Sequence, residues 1–221
     1  MATQPITPDE SRVPLSRERV LQAAIGLADE VGIEAFSVRR LARKLGAGPM
    51  SLYNHVANKE EILVGILDIV LSQVELPARG AAWKAAIRTT AISAHEALVR
   101  HPWAASLMLS RVLPARLRYM EAILGSLREG GFSAEQTDHA YHALDSHIAG
   151  FTLWLVSLDI DDETLPDLAA SFAKELPAGE YPYVIEHLHE HLKDRRPDDE
   201  GEFTFGLDLI LDGLERIRGA Q

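Results

Sequence analysis

The sequence predicts an all-α fold, a small N-terminal module of short helices followed by a larger helical domain, and three observations carry that prediction. Apolar residues recur at three- and four-residue steps along nearly the whole chain. Serine or asparagine caps open these runs, and glycine or proline closes them. No segment sustains the period-two alternation of a half-buried strand, and no internal repeat or low-complexity tract interrupts the pattern.

Residues 1–15 hold three prolines among polar residues and are expected to form a flexible arm. Ser16 caps a first helix whose Val20, Ala24, Leu27, Ala28 and Val31 share a face, and Gly32 suits its left-handed C-cap. Ser37 caps a second, short helix with Val38, Leu41, Ala42 and Leu45 together, which Gly46 stops. Pro49, whose fixed φ suits the first helical position, opens a third. That helix buries Leu52 and Val56 one turn apart and turns Met50, Ser51, Asn54 and His55 outward. Asn58 and Glu61 have capping-box spacing for a fourth helix, carrying Ile62, Leu63, Leu67, Val70 and Val74 until Pro77 ends it. The predicted division is an arm at 1–15, a helix-turn-helix domain at 16–62 and a helical domain at 63–221.

From about Trp83 the helical pattern continues with larger apolar residues, broken at Pro102, Pro114, "GGFSAEQ" (130–136), Pro166 and "PAGEYP" (177–182). Ser133 and Gln136 again have capping-box spacing and open a long helix to about Leu158. Residues 159–202 hold 14 acidic and 4 basic residues, a composition for solvated helices and loops. The last helix, "EFTFGLDLILDGLERIR", is apolar at Phe203, Leu207, Ile210, Leu211, Leu214 and Ile217.

Composition narrows the function classes. With 47% hydrophobic and 25% charged residues, the chain is an ordinary globular protein, and no run of 18 apolar residues could span a bilayer. The N-terminus lacks the basic-then-apolar order of a secretory signal, so a cytoplasmic protein with no membrane partner is expected. The absence of cysteine removes disulfides, thiolate zinc sites and cysteine nucleophiles, and neither a cofactor nor a resident metal is expected. Net charge is -11, yet residues 37–59 hold Arg39, Arg40, Arg43, Lys44 and Lys59 and no acid. That segment carries +5, so the remainder sums to -11 minus 5, or -16. A polyanion is steered to the island and repelled elsewhere.

Two short helices joined at a glycine turn, the second showing polar side chains outward, form a helix-turn-helix, whose second helix fits the major groove. Arg39 and Lys59 are placed for phosphates, and Tyr53 and His55 can also hydrogen-bond them. Met50, Ser51 and Asn54 are candidates for base edges, Asn for adenine and Met for a thymine methyl. Gly46 and Gly48 let the backbone turn sharply and approach closely.

The run "FSVRRLARKLGAGPMSLYNHVANKEEIL" (36–63) resembles the signature of the tetracycline-repressor (TetR) family of bacterial transcriptional regulators: a Ser cap, Arg two residues on, then "LA", "LG", a small-residue turn, "LY", "HV" and "NKEE". The resemblance covers roughly residues 16–75 and implies DNA contacts at Arg39, Gly48, Pro49, Met50, Ser51, Tyr53, Asn54, His55 and Lys59. "HPWAASL", "EAILGSLREGGFSAEQ" and "HIAGFTLW" resemble the C-terminal effector-binding and dimerisation domain of the tetracycline-repressor branch.

The long helix carries Tyr141, Leu144, Ile148, Phe151 and Leu155 on one stripe and Ala140, His147 and Trp154 on the next, so it has more than its own core to cover. The resemblance implies that this helix and the last one pair with those of a second copy. Tyr141, Leu144, Ile148, Leu207, Leu211 and Leu214 are the expected interface, and a homodimer fits a palindromic double-stranded operator. Trp103, Met108, Tyr119, Met120, His147, Phe151 and Trp154 are the expected lining of a small-molecule effector pocket, apolar with a few polar groups. "SLMLSR" (106–111) offers no histidine for a metal-bridged drug.

Two other functions compete. "EHLHEHL" contains His187, Glu190 and His191, an H-x-x-E-H spacing that could hold zinc beside a general base in an all-α hydrolase. A constitutive DNA-binding protein would have no effector at all. The expected function is a non-enzymatic, homodimeric, ligand-responsive repressor.

Overall fold

The computed structural model of the protein describes residues 14–108, 113–157, 165–177, 179–191 and 200–219, with backbone alone at 165–169, 189–191 and 200. The chain divides into two compact units, Met1–Val70 and Leu71–Gln221. Every regular element among the described residues is a helix.

The first unit contains α1 (Arg17–Val31), α2 (Val38–Lys44), α3 (Pro49–Leu52) and α4 (Lys59–Leu71, whose final residue belongs to the second unit). The Ser16 hydroxyl accepts from the Arg19 amide at 3.2 Å and that of Ser37 from the Arg40 amide at 3.3 Å, supplying partners for donors that a helix start leaves over. Gly46 sits at φ 61° between α2 and α3, a left-handed turn that a side chain would strain. α3 is a single turn, continued by a tight bend in which Leu52 accepts from both His55 and Val56. Val20, Leu21, Ala24, Phe36, Leu41, Leu52, Val56, Ile62 and Ile66 form the core. A Cβ at Gly65 would lie 2.8 Å from Leu21 Cδ2, so the approach of α4 to α1 depends on glycine there.

Asn58 Oδ1 accepts from the Glu61 amide at 2.9 Å, and Glu61 in turn accepts from Ala57 at 2.6 Å. Half of the expected box is thus present, with the return bond made one residue earlier. The Ala57 bond, and then Arg17, hold the Glu61 carboxyl below its ordinary range. α4 stops at Leu71, short of the expected Pro77. The Glu75 amide finds a partner outside the helix in Ser93 Oγ at 2.9 Å, and Val74 is buried from a turn instead.

The second unit contains α5 (Trp83–Arg100), α6 (Pro102–Met108), α7 (Pro114–Glu129), α8 (Ala134–Ser157), α9 (Leu165–Glu175), α10 (Pro182–His191) and α11 (Glu200–Arg218). Proline is the first residue of α6, α7 and α10, where its missing N–H costs no helical bond. The capping box of α8 is reciprocal: Ser133 Oγ accepts from Gln136 N at 3.1 Å and Gln136 Oε1 from Ser133 N at 2.9 Å. α8 packs against α5, α6, α7 and α11, and α9 against α10. Ile87, Leu98, Ile123, Leu127, Leu144, Leu207 and Leu211 fill the centre; each contributes about 1.5–3 kcal/mol on burial. No described helix is long and apolar enough to cross a membrane.

Candidate nucleic-acid interface and ligand cleft

The residues expected to contact DNA gather around the turn between α2 and α3. Met50 is 77% exposed, and Arg39, Gly48, Pro49, Ser51, Tyr53 and Asn54 are exposed with it, while His55 is half-buried. Leu52 and Val56, fully buried between them, anchor the short helix so that its polar side stays outward. The basic residues are held differently. Lys44 pairs with Glu30, and Arg40 donates to the Ala35 carbonyl at 3.2 Å. Lys59 Nζ donates to the Phe36 carbonyl at 2.9 Å and lies 5.8 Å from that ring's centre, which fixes the ammonium beside α2 with two further N–H groups to offer. Arg39 and Arg43 project from the exposed side of α2. The unit therefore presents exposed cations together with a small polar projection, a combination suited to phosphates and base edges.

The second unit holds a narrow cleft with an internal volume of about 10 Å³, room for about one water molecule. Six apolar side chains, Leu71, Val74, Ala94, Leu98, Met108 and Ile148, line it together with Arg116, Tyr119 and Asp145. Arg116 Nη2 donates to Asp145 Oδ2 at 2.9 Å, with both side chains mostly buried. Burial first, and then the Asp145 charge, push the Tyr119 phenol far above its ordinary value, so it stays a neutral O–H.

Of the expected effector residues, Met108 and Tyr119 line this cleft. Trp103 is buried beside His101, ring centres 6.0 Å apart, and Met120 is half-buried on α7; neither lines the cleft. His147, Phe151 and Trp154 instead join a ring cluster where α5, α8 and α11 meet. Phe203 stacks on His95 at 4.0 Å and on His147 at 5.0 Å, and Phe151 meets both Phe203 and Trp154. His147 Nε2 donates to the Phe203 carbonyl at 3.0 Å. A Cβ at Gly206 would come within 2.5 Å of the His147 ring, so the imidazole occupies the space that glycine leaves. His95 Nδ1 is 2.8 Å from Thr152 Oγ1, which itself donates to the Ile148 carbonyl; the imidazole is thus the donor between them. Burial and the neighbouring His147 lower the His95 pKa to about 4. Arg116, Asp145 and His95 were absent from the expected sites, because their partners lie on other helices far along the chain.

Tyr141, Leu144, Ile148, Leu207, Leu211 and Leu214, the expected contacts with a second copy, are all buried within the single chain. They occupy the inner faces of α8 and α11. The outer face of α11 shows Phe205, Leu209 and Ile217 at four- and eight-residue steps, 68%, 57% and 44% exposed. The outer face of α8 shows Ala143, Ser146, Gly150 and Trp154.

His187 is exposed on α10, while the side chains of Glu190 and His191 lie outside the described residues. Among the described residues, no group of three or more His, Cys, Asp or Glu side chains is placed to hold a metal ion.

Residues 20–66 match the family described as bacterial regulatory proteins, tetR family, and residues 76–218 the tetracyclin repressor-like C-terminal domain. The HTH-type transcriptional repressor DrrR1 of Streptomyces coeruleorubidus is 33% identical over 217 residues, covering 91% of this chain and 77% of the relative. The tetracycline repressor protein class D of Escherichia coli is 34% identical over 208 residues, covering 91% and 89%. The crystal structure of the Streptomyces coelicolor TetR family protein ActR in complex with actinorhodin matches with a TM-score of 0.73 at 28% identity, covering 94% of this chain and all of that one.

Proposed function

The chain belongs to the tetR family of bacterial regulatory proteins and is a DNA-binding transcriptional regulator, and from that premise we propose a homodimeric repressor, released from a palindromic double-stranded operator by a small apolar or aromatic ligand. One observation carries the DNA-binding half: Met50, Ser51, Tyr53 and Asn54, in and just after α3, are exposed in the same unit as the exposed cations Arg39 and Lys59. The hydrogen-bonding side chains among them serve base edges or phosphates, and the cations serve phosphates only.

The outer stripes of α8 and α11 supply the dimer contact. Phe205, Leu209, Ile217 and Trp154 are apolar and exposed in one chain, and Ala143, Ser146 and Gly150 let a second helix approach closely. A second copy applies the same stripes around a two-fold axis. Two recognition helices about 34 Å apart then meet successive major grooves.

The cleft receives the ligand. Relatives support a small molecule: one is named a tetracycline repressor, and ActR was crystallised with actinorhodin. α4 is the lever, since it begins at Lys59 on the DNA-facing surface and its last residue, Leu71, lines the cleft. Release requires the ligand to prefer the conformation whose recognition helices no longer match the grooves; equal affinity for both would shift nothing. A coupling of about 1–3 kcal/mol is typical.

Selection of bound sequences from random duplexes, followed by footprinting and sedimentation of the complex, tests this function. The expected result is a palindrome protected in two half-sites, carrying two chains. A single protected half-site bound by one chain contradicts it.

A further inference from the structure

We propose that the DNA-binding surface extends beyond α3 into the groove between the start of α1 and the α2–α3 turn, where a sugar–phosphate strand of the operator lies with Arg19 on one of its phosphates. The proposal rests on the reading of α3 as the DNA-facing helix. The groove has a volume of about 380 Å³, more than ten times the ~30 Å³ that one water occupies in the liquid. Gly48 and Ser51, both expected DNA contacts, line it from the turn and α3, and Pro14 and Arg19 line it from the start of α1. It is thus continuous with the surface that α3 presents.

Two observations point to a partner from outside the chain. The first is the glycine at 48. Gly46 sits at φ 61° and needs to be glycine, whereas Gly48 sits at φ -74° and ψ 146°, a backbone that any residue adopts. A Cβ at Gly48 would find Ser51 Oγ as its nearest neighbour beyond the adjoining residues, at an ordinary 3.9 Å. Neither strain nor packing within the chain therefore asks for glycine at 48, and what it leaves is room for another molecule to approach the backbone closely.

The second observation is the lining. Arg19, half-buried, is its one charged side chain, and no acid stands with it, whereas the grooves of the second unit include Glu75, or Glu121 and Glu129. A polyanion suits the first lining and is repelled by the others. Leu15, Leu45 and Ala47 add apolar contact for deoxyribose, and Ser51 adds a hydroxyl for a phosphate oxygen. A free anion would use Arg19 and leave that apolar lining idle; a strand uses both. Arg19 then supplies affinity and register without choosing bases, because the backbone is chemically the same at every step.

The test uses the full chain on the duplex recovered by selection from random sequences, read by hydroxyl-radical footprinting and by salt titration. Arg19→Ala should weaken binding about tenfold and lower the salt slope by about 0.9 per bound chain. It should also remove protection from a few adjacent sugars in each half-site, with base preference unchanged. Arg19→Lys should retain the slope. Gly48→Ala should keep the unfolding transition and lose protection at the same sugars, its methyl standing where the strand passes, and this variant carries the test if Arg19→Ala disturbs α1. A lowered slope without local loss of protection marks a general change of field and overturns the inference. So do an unchanged slope and footprint for Arg19→Ala, the result if residues 1–13 of the chain fill the groove instead. If Asn54→Ala still alters base preference in either case, α3 stands as the DNA-facing helix; if neither Arg19→Ala nor Asn54→Ala alters binding, that reading falls as well.

Discussion

The two units place their polar side chains in opposite ways. In the first, Arg39, Ser51, Tyr53 and Asn54 stand in water around a buried Leu52; in the second, Arg116, Tyr119 and Asp145 face one another among buried helices. A surface that meets a hydrated polyanion can leave its groups solvated until contact. A cleft for an apolar molecule has to strip water from its polar groups in advance, so each needs a partner within the chain. α11 repeats the contrast within one helix: Leu207, Leu211 and Leu214 fill the core, while Phe205, Leu209 and Ile217 remain uncovered.

The inner and outer faces of α11 can be broken apart by one substitution on each. Leu211→Glu puts a carboxylate at a position with no exposure and should cost more than about 4 kcal/mol, abolishing the cooperative unfolding transition. Leu209→Glu should leave that transition within about 0.5 kcal/mol of the original. Sedimentation should show a dimer for the unaltered chain and a monomer for this variant, and operator affinity should fall because the half-sites no longer act together. Loss of folding in both would make the outer face part of the core.

The buried polar group of the second unit should also respond more strongly than the exposed one of the first. Arg116→Ala strands Asp145 and is expected to cost on the order of 2–3 kcal/mol in urea unfolding, partial exposure reducing the full value for a buried pair. Arg39→Ala should change stability by less than about 0.5 kcal/mol.

His95 sharpens the contrast through pH. Its pKa is about 4 in the folded chain against an ordinary 6.5, so between those values the unfolded chain binds the extra proton. Stability from this group is complete above pH 6.5 and falls as pH drops towards 4, by up to about 1.4 kcal/mol per unit. Unfolding of His95→Gln across this window should show a shallower slope than the unaltered chain; equal slopes would assign the loss to other groups. The smallest effect lies on the DNA side, where Arg39→Ala should lower the salt dependence of operator binding by about one unit.

What was legible in the sequence follows the range of the interactions. Ser16, Ser37 and the Ser133–Gln136 box act within three residues, and each cap forms as its spacing predicts. α4 ends early because the decisive partner, Ser93, lies on α5, 18 residues from the amide it caps. Periodicity showed that α8 carries two apolar stripes and α11 an apolar face, but which residues turn inward depends on how α5 and α7 pack. Tyr141, Leu144 and Leu211 consequently fall in the chain's own core. The expected effector set divides for the same reason, Met108 and Tyr119 going to the cleft and His147, Phe151 and Trp154 to the rings around Phe203. Arg116 and Asp145 lie 29 residues apart on different helices, and no local pattern marks them as a pair.

The exposed side of α3 as the base-reading surface is tested most directly by repeating the selection from random duplexes with Asn54→Ala and comparing the sequences recovered with those of the unaltered chain. Base preference should relax at one pair of symmetry-related positions, with a loss of about 1–3 kcal/mol on the original operator and an unchanged unfolding transition. Recovery of the same palindrome with the same affinity would place sequence recognition on another surface of the protein.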